Sequence, residues 1–278
     1  MKTGIIYLLF VLTCSLSLAA KGKEKKANPG KTHYRISAGI DLYKSFSQKK
    51  NSMVMKIGYP VFKGNFFRFG SEISFPREKC THHLKLSALY SSSLVSDDGL
   101  GNNFILQENE NRYTYLQFEY QMQRDLFHYE LIDFDYAPLL GLDAQLRKIK
   151  YNSDLHEKTA DINLFAGMRM VPEFGLTNRI SLQTGFDSFF YLPYLNIGKL
   201  KRWENNTSIE ESIYHAFYYR TRFHASVFYH FDAGKKLRLG YRSEHTVGFA
   251  NEKPLFHINK LIHHRMDRYQ NIFVEYCF

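Results

Sequence analysis

The sequence predicts an all-β protein, a closed antiparallel transmembrane β-barrel, and three observations carry that prediction. Apolar residues recur with period two along most of the chain, several of the segments that hold them run ten residues or more, and the last one ends on an aromatic residue. In Asn271-Ile-Phe-Val-Glu-Tyr-Cys-Phe278 the residues Ile272, Val274, Tyr276 and Phe278 share one face, because successive side chains of a strand point to opposite sides. Chain ends fray unless something ties them down, and a strand that closes a sheet onto its first strand supplies that tie.

The amino terminus agrees with an exported protein. Met1-Lys-Thr-Gly carries one early positive charge, Ile5 to Leu12 form a short apolar core, and Ser17-Leu-Ala19 place small residues where a signal peptidase reads. The apolar run is well short of the about 20 residues that a helix needs to span a bilayer. Residues 1–19 are therefore expected to be a signal peptide and 20–31 a basic periplasmic segment, with Lys21-Gly-Lys-Glu-Lys-Lys26 at its centre. Cys14 follows Thr13, a poor residue directly before a lipidated cysteine.

No Pro-, Gly- or Ser-rich linker divides the rest, so residues 32–278 are read as one barrel domain. The 20 Tyr and 24 Phe of the whole chain against one Trp suit strands, and aromatics gather at both water interfaces of a membrane barrel. The low mean hydropathy of −0.37 fits a wall whose lipid-facing and lumen-facing residues alternate and cancel. The formal charge of +10 suits attraction to anionic lipid headgroups, and nucleic acid is not an expected partner of an exported chain.

Taken in order, the alternating windows are Tyr34 to Leu42, Met53 to Tyr59, Phe67 to Phe75, Leu84 to Tyr90, Leu116 to Met122 and Leu140 to Leu146. The second half adds Ile162 to Met170, Ile180 to Phe190, Phe217 to Phe231, Leu237 to Tyr241 and the terminal strand. Pro172-Glu-Phe-Gly and Asp232-Ala-Gly-Lys read as short turns, while Asn196 to Ser212 and Asn251 to His264 read as long polar loops. That alternation of short and long connections is the habit of membrane barrels. A soluble sandwich would show the same stripes with the apolar face inside, so it stands as an alternative.

Both termini of such a barrel lie on one side, so the strand number is even, whereas the windows number eleven. A short strand at Phe104-Ile-Leu-Gln107 would make twelve, the preferred count, and ten is the alternative.

The aromatic ending resembles that of Gram-negative outer-membrane β-barrels, whose last strand finishes on Phe. Arg112-Tyr-Thr-Tyr-Leu-Gln-Phe-Glu-Tyr120 followed by Ala137-Pro-Leu-Leu-Gly-Leu142 is similar to small porin-like barrels of that membrane. The resemblance implies a location in the outer membrane with both termini in the periplasm. It also implies insertion by the barrel-assembly machinery, for which Ile272, Val274, Tyr276 and Phe278 would be the signal, and contact with outer-membrane lipids and lipopolysaccharide. It implies no activity.

Period two assigns Arg35, Asp41, Arg68, Glu72, Lys85, Glu119, Asp143, Arg147, Arg169, Asp187 and Glu275 to the lumen together with Arg220, Arg222, His224, Arg238 and Arg242. Charges of both signs in a narrow barrel pair across strands and fill it. The functional alternative is a cationic stripe of Arg220, Arg222, His224, Arg238 and Arg242 on two adjacent strands, favouring an anionic solute or headgroup. Ser243 and His245 are two apart and emerge on the lipid face, where a base within hydrogen-bond reach could activate the hydroxyl. Outer-membrane lipid hydrolases, which this chain resembles in size and predicted architecture, carry such a pair on the outer wall. They read His, any residue, Ser, then Asn, whereas here the order is Ser243-Glu-His245 with Asn251 further on.

The sequence thus predicts a non-catalytic barrel with a structural, ligand-binding or small-solute passage role, and an outer-membrane lipid hydrolase or a soluble sandwich as alternatives. No cofactor is expected. Neighbours such as His82-His83 and His263-His264 would point to opposite faces of a strand and could not chelate a metal together. Cys80 and Cys277, the two cysteines left after processing, could bridge in an oxidising compartment.

Overall fold

The computed structural model describes residues 32–50, 56–77, 79–92, 94–96, 111–129, 131–150, 156–192, 197–204, 207–231, 235–251 and 263–278. Its strands are β1 (His33–Lys50), β2 (Lys56–Pro76), β3 (Thr81–Ser91), β4 (Val95–Ser96), β5 (Arg112–Tyr129) and β6 (Ile132–Lys150). They continue with β7 (His156–Gly175), β8 (Ile180–Tyr191), β9 (Ile197–Glu204), β10 (Thr207–His230), β11 (Lys236–Asn251) and β12 (His263–Cys277).

The pairing is antiparallel throughout and runs β1, β2, β3, β5, β6, β7, β8, β10, β11, β12 and back to β1. The sheet therefore closes on itself, which rules out the sandwich. Closure is sealed at the very end of the chain, where Tyr34 N–H donates to Phe278 O at 3.1 Å and Phe278 N–H donates to Tyr34 O at 3.0 Å.

Among the described residues the ring has ten strand positions, so the preferred count of twelve is corrected to ten. Two of the eleven windows, Met53 to Tyr59 in its described part (56–59) and Phe67 to Phe75, belong to the single strand β2, and residues 53–55 lie outside the described residues. What splits them in the sequence is a register shift. Ser45 pairs with Phe62 and Ser47 with Tyr59, so Pro60 and Val61 together oppose Phe46. Proline lacks the N–H of a regular ladder and settles at such bulges. The short β4 extends the β3 position along β2, and β9 extends the β8 position between β7 and β10, so neither adds to the ring. The proposed strand at Phe104 to Gln107 lies outside the described residues.

Chain length goes into longer strands instead of more of them. Spanning a bilayer takes about 9–11 tilted residues, yet β10 has 24 and β7 has 20. Two sequence assignments fail for the same reason. Pro172 to Gly175 is the last part of β7, and the turn falls at Leu176 to Arg179. Most of Asn196 to Ser212 is not a loop but the hairpin of β9 with the start of β10.

The wall is inside out. Ile36, Ile40, Phe67, Phe69, Leu116, Phe118, Leu140, Leu142, Ile162, Leu239, Ile272 and Val274 are exposed on the outer surface, as the stripes predict. Their strand neighbours, among them Asp41, Arg68, Glu72, Glu119, Asp143, Asp187, Arg220, Arg222 and Asn271, are buried in the lumen. An apolar outer belt with a polar interior is stable against lipid and not against water.

Candidate functional site

The lumen is filled in layers. Toward the end away from the termini, Tyr43, Phe66, Tyr113 and Tyr269 form a buried aromatic layer with Phe62, Leu89, Leu94 and Ile149. Tyr43 and Tyr113 stack with centroids 5.6 Å apart, Phe66 meets Tyr113 edge-on at 5.0 Å, and Tyr43 packs on Tyr269 at 4.8 Å. These are the offset and edge-to-face geometries that aromatic quadrupoles favour. The hydroxyls are occupied as well. Tyr43 donates to Asp267 at 3.0 Å and Tyr113 donates to Gln145 at 3.0 Å.

Below this lies an ionic layer. Arg220 on β10 pairs with Asp143 on β6 at 3.3 Å and Glu244 on β11 at 3.3 Å, and its guanidinium also donates to Tyr115. Tyr115 and Tyr191 in turn donate to Asp143. Arg222 pairs with Asp187 at 3.1 Å, Glu244 at 3.3 Å and Glu119 at 3.3 Å, and donates to Gln117 at 3.2 Å. Glu119 and Gln117 stand on β5, four positions from β10 in a ring of ten, so Arg222 bridges the lumen. Arg68 makes a two-pronged contact with Asp41, at 2.8 and 3.0 Å, the planar fork geometry that arginine supplies and lysine does not.

The layer nearest the termini continues the pattern. Arg35 meets Glu72 at 3.2 Å, Lys85 meets Glu72 at 3.4 Å, Arg169 meets Asp187 at 3.5 Å, and Arg238 meets Glu275 at 3.4 Å. Between these groups is a cavity of about 70 Å³, walled on one side by Ser37, Gly70 and Ser87. Those three are register neighbours on β1, β2 and β3, and their small size leaves the space open.

The five residues of the predicted cationic stripe all reach the lumen, on paired strands with His224 opposite Arg242. They do not form a bare stripe. Arg220, Arg222 and Arg238 are matched by carboxylates, and His224 accepts a hydrogen bond from Arg169 Nη2 at 3.2 Å, since a guanidinium only donates. Arg242 lies with its guanidinium carbon 5.0 Å from the Phe273 ring centre. Gly185 makes room for His224, because a Cβ there would overlap the imidazole.

Sequence reasoning missed Glu244, the acid shared by Arg220 and Arg222. Its parity with Arg238 and Arg242 on β11 was the available signal. It also missed the aromatic layer, although Tyr43, Phe66, Tyr113 and Tyr269 all fall on the lumen parity of their strands.

On the outer wall, Ser243 Oγ lies 3.1 Å from His245 Nε2, so the predicted pair does meet. His245 is paired in register with Arg268 of β12 and Thr221 of β10. No third side chain orients Nδ1 of His245 among the described residues. His82 and His83 diverge as a strand requires. His82 bonds Tyr120 at 2.7 Å and Cys80 at 3.3 Å, whereas His83 turns inward to Glu72 at 2.8 Å. Cys80 and Cys277 are both free thiols, so they do not bridge. The side chains of His263 and His264 lie outside the described residues.

No protein-family model and no curated protein matches the sequence. Solved structures do. The outer membrane protease OmpT from Escherichia coli superposes with a TM-score of 0.58 at 9% identity, covering 90% of this chain and 98% of that one. The translocator domain of autotransporter NalP from Neisseria meningitidis gives a TM-score of 0.36 at 7% identity over 99% and 95% of the two chains. The attachment invasion locus protein Ail of Yersinia pestis gives 0.25 at 11% over 90% and 100%. With its ring closed, its polar interior and its apolar outer belt, the chain has the fold of the bacterial outer-membrane β-barrels.

Proposed function

We propose that this chain is an integral outer-membrane protein with both termini in the periplasm, closed to solutes, and that it acts by binding at its outer end. The observation that carries this reading is the cross-lumen contact of Arg222 with Glu119 and Gln117, backed by the aromatic layer above it. Side chains that meet across a lumen obstruct a water path, and an ion would have to displace several charge-assisted bonds to pass. The outer end is the part free to make contacts. The hairpin of β9 and β10 continues there, and its sequence carries Lys199, Lys201, Arg202, Glu204, Glu210 and Glu211, too charged for hydrocarbon. Outer-membrane lipids and lipopolysaccharide are the surroundings of the belt, and Ile272, Val274, Tyr276 and Phe278 serve the assembly machinery during insertion.

Reconstitution in planar bilayers tests it. A barrel that inserts, shown by heat-modifiable gel migration, should give no conductance steps. Sustained discrete steps would overturn the closed reading, and recovery as a soluble periplasmic monomer would overturn the membrane reading.

The 3.1 Å contact between Ser243 and His245 on the outer wall supports a second reading, a lipid hydrolase working on acyl chains that reach the wall from the bilayer. Arg268, exposed beside His245, is placed to meet a lipid phosphate. Fatty acid release from phospholipid or lipopolysaccharide by wild type and not by Ser243→Ala supports this reading. Equal release by both proteins removes it.

A further inference from the structure

One cation of the ionic layers stands outside their ion pairs. Around the ionic layers, seven cations each have a carboxylate oxygen between 2.8 and 3.5 Å, and the carboxylates they use are also seven. Arg242 is the eighth cation. Among the described residues it makes no ion pair, although Glu244 is near enough to act on its charge, and its guanidinium lies against the face of Phe273. A guanidinium whose Nε is buried without a partner is costly to hold, so Arg242 calls for an acceptor at that atom.

The cavity of about 70 Å³ is where that balance would come from. Arg242, Arg68 and Gln117 line it from β11, β2 and β5. Arg242 Nε, Arg68 Nη1 and Gln117 Nε2 are each buried with no hydrogen-bond partner. Arg68 and Gln117 are both only 4% exposed, so these donors are withdrawn from bulk solvent. With Arg35 Nε, which is also buried without a partner, four N–H donors line one cavity, and Arg242 among them makes no ion pair with a described residue. The wall contains two unpartnered acceptors: Asp187 Oδ1, which Arg169 Nε already faces at 3.5 Å, and Ser87 Oγ, a hydroxyl that can equally donate. The space exceeds what a single water needs, about 10–15 Å³ on this measure.

We propose that the cavity binds one small monovalent inorganic anion, of the size and charge of chloride, through Arg242 Nε, Arg68 Nη1 and Gln117 Nε2. The anion neutralises the unmatched guanidinium and completes the packing of the lumen. It is a structural ligand and does not depend on whether the outer end binds or the outer wall hydrolyses.

Bromide serves as the probe, being larger than chloride but of the same charge and visible by anomalous scattering. Wild-type barrel refolded and crystallised in bromide should give one anomalous peak within hydrogen-bond reach of Arg242 and Arg68. In detergent, wild type refolded in chloride should melt about 2–4 °C higher than in gluconate at equal ionic strength. The same comparison on Arg242→Met, which keeps the length of the stem and removes the charge, should show no difference. Water-only density in the bromide crystals overturns the site, as does identical melting of wild type in the two anions. The diffraction result stands on wild type alone, should Arg242→Met fail to fold.

Discussion

Tyr113 of β5 and Tyr269 of β12 meet hydroxyl to hydroxyl at 2.8 Å, from positions four strands apart in a ring of ten. The bond joins two sides of the lumen directly. Together with Arg222 it means that the wall is braced from within at two levels, one aromatic and one ionic.

Removing both braces should open the barrel. Tyr113→Ala combined with Arg222→Ala is expected to turn a silent barrel into one with resolvable conductance in planar bilayers, while Tyr113→Ala alone leaves the ionic layer in place and stays silent. Continued silence of the double variant would place closure elsewhere.

Arg222 alone should matter greatly for stability. Arg222→Met leaves Glu119, Asp187 and Glu244 facing one another around an apolar side chain. Breaking a buried ion pair on one side costs about 3–5 kcal/mol, which urea unfolding from lipid vesicles would read as a lower midpoint. Arg222→Lys should recover only part of it, since one ammonium cannot serve acids on β5, β8 and β11 at once.

Gly185 is predicted to be intolerant of side chains. A Cβ there overlaps the His224 ring, so Gly185→Leu should cost about 1–3 kcal/mol or prevent insertion. Gly175, which has nothing within 4 Å of an added Cβ, is the control, and Gly175→Ala should stay within about 0.5 kcal/mol of wild type by the same unfolding assay.

The outer belt gives a prediction that separates lipid from water as the surrounding medium. Leu142 is exposed between Phe118 and Leu164 in register, in the middle of the apolar wall. In a membrane Leu142→Arg should lower stability by about 2–4 kcal/mol, while Leu131→Arg at the β5–β6 turn should cost about 0–1 kcal/mol. Equal tolerance at both sites would mean that water, not lipid, covers Leu142.

The fold was largely legible because period two survives whatever a strand packs against. Ile36, Phe69 and Ile272 announce an outward face whether that face meets lipid or a second sheet, and only the closed ring decides between the two. The strand count was not legible, because Pro60 at the β2 bulge interrupts a pattern that the hydrogen-bond ladder carries across. The length of β10 was hidden for a different reason. Its first residues, Thr207 to Ser212, carry Glu210 and Glu211 with Ile209 as their one apolar residue, and such a polar hairpin looks like a loop until its partner β9 is seen.

The candidate site was legible residue by residue and illegible as an arrangement. Parity placed Arg220, Arg222, Arg238 and Arg242 inside, but whether they repel a solute's cation, attract its anion or satisfy one another depends on which acids lie at the same height. That height is set by strand stagger, which brings Glu119 to Arg222 and Asp143 to Arg220 across sequence separations of about a hundred and of 77 residues. Nothing local to either residue records it.

The alternation of the wall also bears on how the chain travels. In the outer-membrane location proposed above, such a protein would have to cross the inner membrane and an aqueous compartment before it meets lipid, and a run of consecutive apolar residues would be arrested on the way as a helix. The ten strands of the ring intersperse belt residues with lumen charges, as Phe67, Phe69 and Ile73 do with Arg68 and Glu72. The residues of the ionic layers that lock the finished barrel would, before folding, keep an exported chain wet enough to make that journey.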